Sequence, residues 1–244
     1  MSSKNTSHIT HHISHIKKML HITNIQKKYQ LEEREHLALA NVSMHIHKGD
    51  FVAIMGQSGC GKSTLLNIMG FLDTATKGEI LFLGENVSII SERKRAEIRK
   101  KHIGFIFQSF NLIDELTIFE NIELPLTYLN IDKKKRKERV LEVLEELSMT
   151  HRKDFFPQQL SGGQQQKVAI GRAIIAKPML ILADEPTGNL DSKNSQIIMQ
   201  LLQKLNENGT TIIMVTHSAQ DASYASRIIR LFDGQIVSEK FQET

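Results

Sequence analysis

The run Gly56-Gln57-Ser58-Gly59-Cys60-Gly61-Lys62-Ser63 constrains this chain more than any other feature in it. It matches G-x-x-x-x-G-K-[ST] without a gap, between an apolar segment at residues 51–55 and helical periodicity at residues 63–71. A loop in that setting is a phosphate cradle. Its glycines let the backbone curl until successive N–H groups point at one anion, and the helix that follows adds the positive end of its dipole. Lys62 is placed to reach the β- and γ-phosphates of a nucleoside triphosphate and the Ser63 hydroxyl to ligate Mg²⁺, with Thr64 completing the loop–helix junction. Cys60 is a small residue that fits the turn. The loop demands a strand–loop–helix unit, but alone it does not separate kinase, GTPase and ATPase.

The rest of the chain supplies the α/β setting. Residues 20–29, 42–46 and 80–82 read as strands, with 51–55 leading into the loop. Residues 133–149 carry the pattern of an amphipathic helix, with Val140, Leu141, Val143, Leu144 and Leu147 on one face. Beyond residue 160, helical segments at 163–176, 193–206 and 220–225 alternate with apolar runs at 179–183, 211–216 and 228–232. That alternation predicts a largely parallel sheet covered on both faces. Asp233-Gly234 reads as a tight turn into a last strand, 235–238. No internal repeat is present.

Composition excludes several partners. Hydrophobic residues make up 40% and charged residues 24% of the 244, the balance of a globular protein rather than a disordered one. The net charge of +4 is spread along the chain with no Arg-rich block interleaved with aromatics, which argues against nucleic acid as the main partner. Cys60 is the single cysteine, so no internal disulfide forms and a reducing, cytoplasmic setting is expected. No apolar run approaches the roughly 18 residues that span a bilayer, and the N-terminus lacks the apolar core of a secretory signal. Membrane contact would therefore come only through another chain. Residues 1–18 repeat histidine (His8, His11, His12, His15) between Ile9, Ile13 and Ile16. On a helix the imidazoles would share one face as a metal-binding tail. The plainer expectation is a disordered extension, or an upstream start with Met19 as the initiator.

Two further motifs carry chemistry. The apolar run 179–183 ends in Asp184-Glu185. Two adjacent acids at a buried strand end cost too much to serve packing. Asp184 suits Mg²⁺, and Glu185 can face an attacking water as general base. Leu160-Ser161-Gly162-Gly163-Gln164 then opens the helix at residues 165–176 as a second anion-binding helix start. One nucleotide does not need two such sites from one chain.

Together, these motifs resemble ABC ATPases, whose signature is the string LSGGQ between a P-loop and an acid-terminated strand; the resemblance extends over most of residues 20–240. It implies a RecA-like P-loop core with a mainly parallel sheet, an N-terminal antiparallel β part and a helical insertion. The expected division is a single domain at residues 19–242, with core segments 19–108 and 161–242 and an insertion at about 109–160. The resemblance also implies that Ser161, Gly162, Gly163 and Gln164 of one subunit close over the γ-phosphate on a partner's P-loop, in an ATP-dependent homodimer. Gln108, after the run Ile103-Gly104-Phe105-Ile106-Phe107, resembles the glutamine that contacts Mg²⁺ and the attacking water. Asp191 resembles the aspartate that links the two sites across the dimer. His217 resembles the switch histidine on the γ-phosphate, and Tyr29 the aromatic that stacks on adenine. ATP and Mg²⁺ are thus the expected ligands, and a separate transmembrane permease on the inner face of the membrane the expected partner. The strings at 183–191, 160–167 and 103–108 resemble the subgroup of macrolide-export, lipoprotein-release and cell-division subunits. The function expected is ATP hydrolysis coupled to export or mechanical work, or, alternatively, regulation of wall remodelling without transport. Gly171 departs from the pattern, which has alanine before the arginine, and weakens its helix locally.

Overall fold

The computed structural model describes residues 18–31 and 34–242, so the histidines at 8, 11, 12 and 15 lie outside the described residues. The chain opens with two long strands, β1 (Lys18–Leu31) and β2 (Arg34–His47), paired antiparallel. Strand β3 (Phe51–Met55) enters the phosphate-cradle loop and helix α1 (Lys62–Met69) leaves it. Strands β4 (Lys77–Phe82) and β5 (Glu85–Asn86) join the first two in a four-stranded antiparallel sheet of order β2-β1-β4-β5. Helix α2 (Glu92–His102) and strand β6 (Ile103–Phe107) follow. Two helices come next, α3 (Ile118–Tyr128) and α4 (Lys133–Glu146), with short 3-10 turns at Thr150–Arg152 and Pro157–Gln159. The last part alternates: α5 (Gly162–Ile174), β7 (Leu180–Asp184), α6 (Ser192–Glu207), β8 (Thr211–Thr216), α7 (Ala219–Ala222), β9 (Arg227–Phe232) and β10 (Gln235–Phe241).

The main sheet has the order β10-β9-β3-β8-β7-β6, parallel throughout except for the β9/β10 hairpin. Its central strands read as unbroken apolar runs because successive side chains enter different cores. Val52, Ile54, Leu180, Leu182, Ile213 and Val215 pack with α1 and the antiparallel sheet. Phe51, Ala53, Ile181, Ala183, Ile212 and Met214 pack beneath α5 and α6. A third core belongs to residues 109–160: Ile118, Ile122 and Leu126 of α3 meet Val140 and Leu144 of α4, with Val168 of α5.

Several elements differ from the sequence-based expectation. Strand β2 begins at Arg34 rather than 42: an irregularity at Asn41, left-handed with φ 58°, sets the buried Leu39 and Val42 three positions apart and interrupts the apolar alternation. Helix α2 has no counterpart in the apolar periodicity of the sequence. None of its residues is buried, so it has no apolar stripe; the Ser91 side chain caps its start and Arg99 donates to the Phe71 carbonyl at 2.5 Å. The departure at Gly171 has a packing reason. A Cβ there would stand 2.8 Å from Leu147 Cδ1 and 3.1 Å from Ile122 Cδ1, so glycine lets α3 and the end of α4 close onto α5.

Candidate functional site

The site is assembled where β3, β7 and β8 end side by side. In the loop after β3, Gly61 takes φ 98° and caps α1, and Lys62, only 7% exposed, folds back so that its ammonium donates to the carbonyls of Gly56 (2.9 Å) and Gln57 (2.8 Å). Cys60 is buried behind the loop, its Sγ 4.0 Å from Lys62 Nζ, while Gln57, Ser58 and Gly59 are exposed and Thr64 is half-buried. Ser63 Oγ lies 3.3 Å from Asp184 Oδ1, joining the first turn of α1 to the last residue of β7. Burial raises the Asp184 carboxyl above its ordinary value; the Ser63 hydroxyl opposes that shift and the charge of Glu185 reinforces it. A hydroxyl beside a carboxylate that burial penalises is a donor set suited to a hard divalent cation, so these residues fit Mg²⁺.

Glu185 sits one residue beyond β7 with φ 46°, a left-handed conformation that costs an ordinary residue on the order of 1 kcal/mol. Its N–H donates to the Val215 carbonyl (2.9 Å), and its own carbonyl accepts from the Gly188 N–H (3.0 Å). The result aims Glu185 at the next strand end, where His217 Nδ1 is 3.2 Å from Glu185 Oε1. A carboxylate and an imidazole from neighbouring parallel strands thus face each other beside the loop.

The other sequence-derived residues fall into separate groups. Gln108, just after β6, meets Asn189: Gln108 Nε2 donates to Asn189 Oδ1 at 3.3 Å, and Asn189 Nδ2 to the Gln108 carbonyl at 3.0 Å. In the sequence Asn189 is marked only by its place inside the 183–191 string. Ser161 begins α5 in a capping box with Gln164, whose side chain accepts from the Ser161 N–H at 3.1 Å. Gly162 follows half-buried, and Gly163 is buried against the Asn194 side chain, which leaves no room for a Cβ. Asp191 caps α6, accepting from Asn194 N at 2.8 Å and Asn194 Nδ2 at 2.6 Å; those bonds hold its carboxyl below the ordinary value. Ser161, Gly163, Asn194 and Asp191 therefore form one cluster. Among the described residues, no hydrogen bond joins it to the phosphate-cradle loop.

Tyr29 stands apart on β1, held by Asp73. Its hydroxyl donates to Asp73 Oδ2 (2.9 Å), while Lys27 Nζ donates to Asp73 Oδ1 (2.6 Å) and lies 4.8 Å from the Tyr29 ring centre. Partial burial pushes the Asp73 carboxyl up, but the bonds from Lys27, the Thr74 N–H and Tyr29 outweigh it and leave it below its ordinary value. A carboxyl whose folded value is lowered contributes stability above its unfolded value and loses it as pH falls through the folded one. We expect Asp73→Asn to cost about 1–3 kcal/mol at neutral pH, since Lys27 keeps a largely buried charge. The gap in melting temperature between variant and parent should narrow towards about pH 3. A gap that is constant with pH would refute the ion-pair account.

The fold and the site together define a P-loop nucleoside-triphosphate hydrolase that carries a second glycine-led helix start. Residues 39–188 match the family described as ABC transporter. An uncharacterized ABC transporter ATP-binding protein of Methanocaldococcus jannaschii is 52% identical over 219 residues, 90% of this chain and 98% of its own length. The macrolide export ATP-binding/permease protein MacB of Chlorobium luteolum is 46% identical over 91% of this chain, which spans 33% of that longer protein. A solved dimeric structure of the ATP-binding cassette MJ0796, in a post-hydrolysis state bound to ADP and Pi, matches with a TM-score of 0.86 at 44% identity. It covers 93% of this chain and 100% of that one. The chain belongs to the ABC transporter family, among its ATP-binding, ATP-hydrolysing proteins. Among the described residues, no helix is long and apolar enough to cross a membrane.

Proposed function

We propose that this chain hydrolyses Mg-ATP as a homodimer and passes the resulting motion to a separate transmembrane permease on the inner face of the membrane. The observation that carries this reading is the convergence at the ends of β7 and β8: Ser63 on Asp184, and Glu185 facing His217. In it, the loop 56–63 with Thr64 wraps the phosphates and Tyr29 stacks on adenine. Ser63, Asp184 and Gln108 hold Mg²⁺, which supplies charge neutralisation on the β- and γ-phosphates when bound. Glu185 takes the proton of the attacking water, and His217 orients it and touches the γ-phosphate. Ser161, Gly162, Gly163, Gln164 and Asp191 form the surface that meets the partner copy's nucleotide. Residues 19–108 and 161–242 act as the core and 109–160 as the insertion through which the permease is engaged. The experiment is ATP turnover by the purified chain with and without Mg²⁺, beside Asp184→Asn. Loss in both arms is expected, and full turnover by Asp184→Asn would refute the metal assignment.

The contact with the permease has its own test. Residues 109–117 are organised by the buried Asn121, whose amide bonds Ile113 N (2.9 Å) and the carbonyls of Ile113, Leu116 and Thr117. Leu112 turns onto the insertion core, whereas Ile113 (38% exposed), Phe155 and Phe156 remain at the surface. Exposed apolar side chains of this kind suit contact with the apolar stripe of a short helix. Ile113→Asp should leave basal ATPase activity of the isolated chain unchanged and abolish co-purification with the permease and partner-stimulated turnover. Retained stimulation would place the contact elsewhere.

A further inference from the structure

The turn Glu185–Gly188 is gripped from two sides by side chains that the hydrolytic scheme does not use. On one side, Thr187 is 7% exposed and donates its hydroxyl to Asp221 Oδ2 at 2.5 Å; Asp221, on α7, is 6% exposed. The Asp221 N–H donates in turn to Ser218 Oγ (3.1 Å), and the Ser218 N–H to Thr216 Oγ1 (3.0 Å). His217 lies inside that bonded stretch. One buried carboxylate therefore ties the residue two places after Glu185 to the segment that carries His217. On the other side Gln166 of α5, fully buried, donates Nε2 to the Pro186 carbonyl at 2.5 Å.

Burying a carboxylate and a carboxamide at a turn is costly unless they hold something in place. What they hold is a left-handed Glu185, a conformation that persists only where its surroundings over-determine it. We propose that Thr187, Asp221 and Gln166 are positioning residues for ATP hydrolysis, which clamp the turn so that the Glu185 carboxylate faces His217. Gln166 also links that turn to the helix opened by Ser161, so the cluster at the start of α5 and the base of the same chain share one rigid connection. The inference rests on the reading of Glu185 as the general base.

The test is kcat and KM for Mg-ATP with the full chain, well below the melting temperature. Thr187→Val keeps size and shape but removes the donor. It should lower kcat about tenfold to a hundredfold, as misplacement of a catalytic group does, while KM changes by less than about twofold. Thr187→Ser, which restores the hydroxyl, should restore turnover, and Asp221→Asn, which still offers an oxygen, should keep most of it. If the valine variant does not fold, Thr187→Ala, which adds no bulk, must give the same split. Parent-like kcat in the donor-less variants, or a fall in kcat matched by lost nucleotide affinity and an equal loss in Thr187→Ser, overturns the proposal. Glu185→Gln is assayed in parallel. An inactive Glu185→Gln beside a fully active Thr187→Val defeats this inference alone, whereas an active Glu185→Gln defeats the base assignment beneath it.

Discussion

Glu185→Gln is expected to bind ATP like the parent chain and to hydrolyse it at least about a hundredfold more slowly. The substitution keeps length and shape and removes the proton acceptor, and a positioned general base is worth about 10²–10⁴ in rate. Its backbone anchors do not depend on the carboxylate: the Glu185 N–H holds the Val215 carbonyl, and the Gly188 N–H holds the Glu185 carbonyl. The turn therefore survives, and the loss is chemical rather than structural. With ATP present the variant should elute from a sizing column as a dimer, because the homodimer expected here depends on ATP and this variant leaves the ATP intact. Turnover at the parent rate would sink the assignment of Glu185.

Gly61→Ala should remove nucleotide binding and destabilise the chain. Two independent terms act at this position. The residue holds φ 98°, where a Cβ meets the neighbouring backbone, at a cost on the order of 1–2 kcal/mol. A Cβ built there also runs into the backbone carbonyl of Ala38, which belongs to β2 and cannot swing aside like a side-chain tip, and stands 3.0 Å from Leu39 Cδ2. Either the loop or β2 must move, and the loop movement displaces Lys62 and the start of α1. We expect a loss of at least about 2 kcal/mol in unfolding free energy, and no detectable retention on an ATP resin. A folded variant that still binds ATP would show that the loop tolerates a shift that its packing against β2 argues against.

Much of this molecule was legible in the chain before folding was considered. The phosphate-cradle loop, the acid pair 184–185 and the helix start at 161–164 are local strings whose chemistry depends on residues adjacent in sequence. The central strands were legible because apolar runs of that length have few other uses. The signal failed where stability comes from elsewhere. Helix α2 fully buries none of its residues and only leans Ile98 on the core, so it shows no periodicity, and the alternation of β2 is interrupted at the left-handed Asn41. The start of α3 is written locally, as a capping box of Thr117 with Glu120.

The amino-acid sequence by itself determined which groups are available: a lysine and a serine on a glycine loop, two acids ending a strand, a histidine ending another. Tertiary structure decided which of them meet. Ser63 and Asp184 are 121 positions apart, and only the parallel order β3-β8-β7 brings their strand ends together. The same register sets Glu185 opposite His217 and puts Asp221 under Thr187, 34 positions away. Ser218-x-x-Asp221 reads locally as a helix cap, and nothing in that string announces a carboxylate bonded to another turn. Hydrogen bonds reach only about 3 Å, so their partners are chosen by the path of the backbone rather than by spacing in the chain.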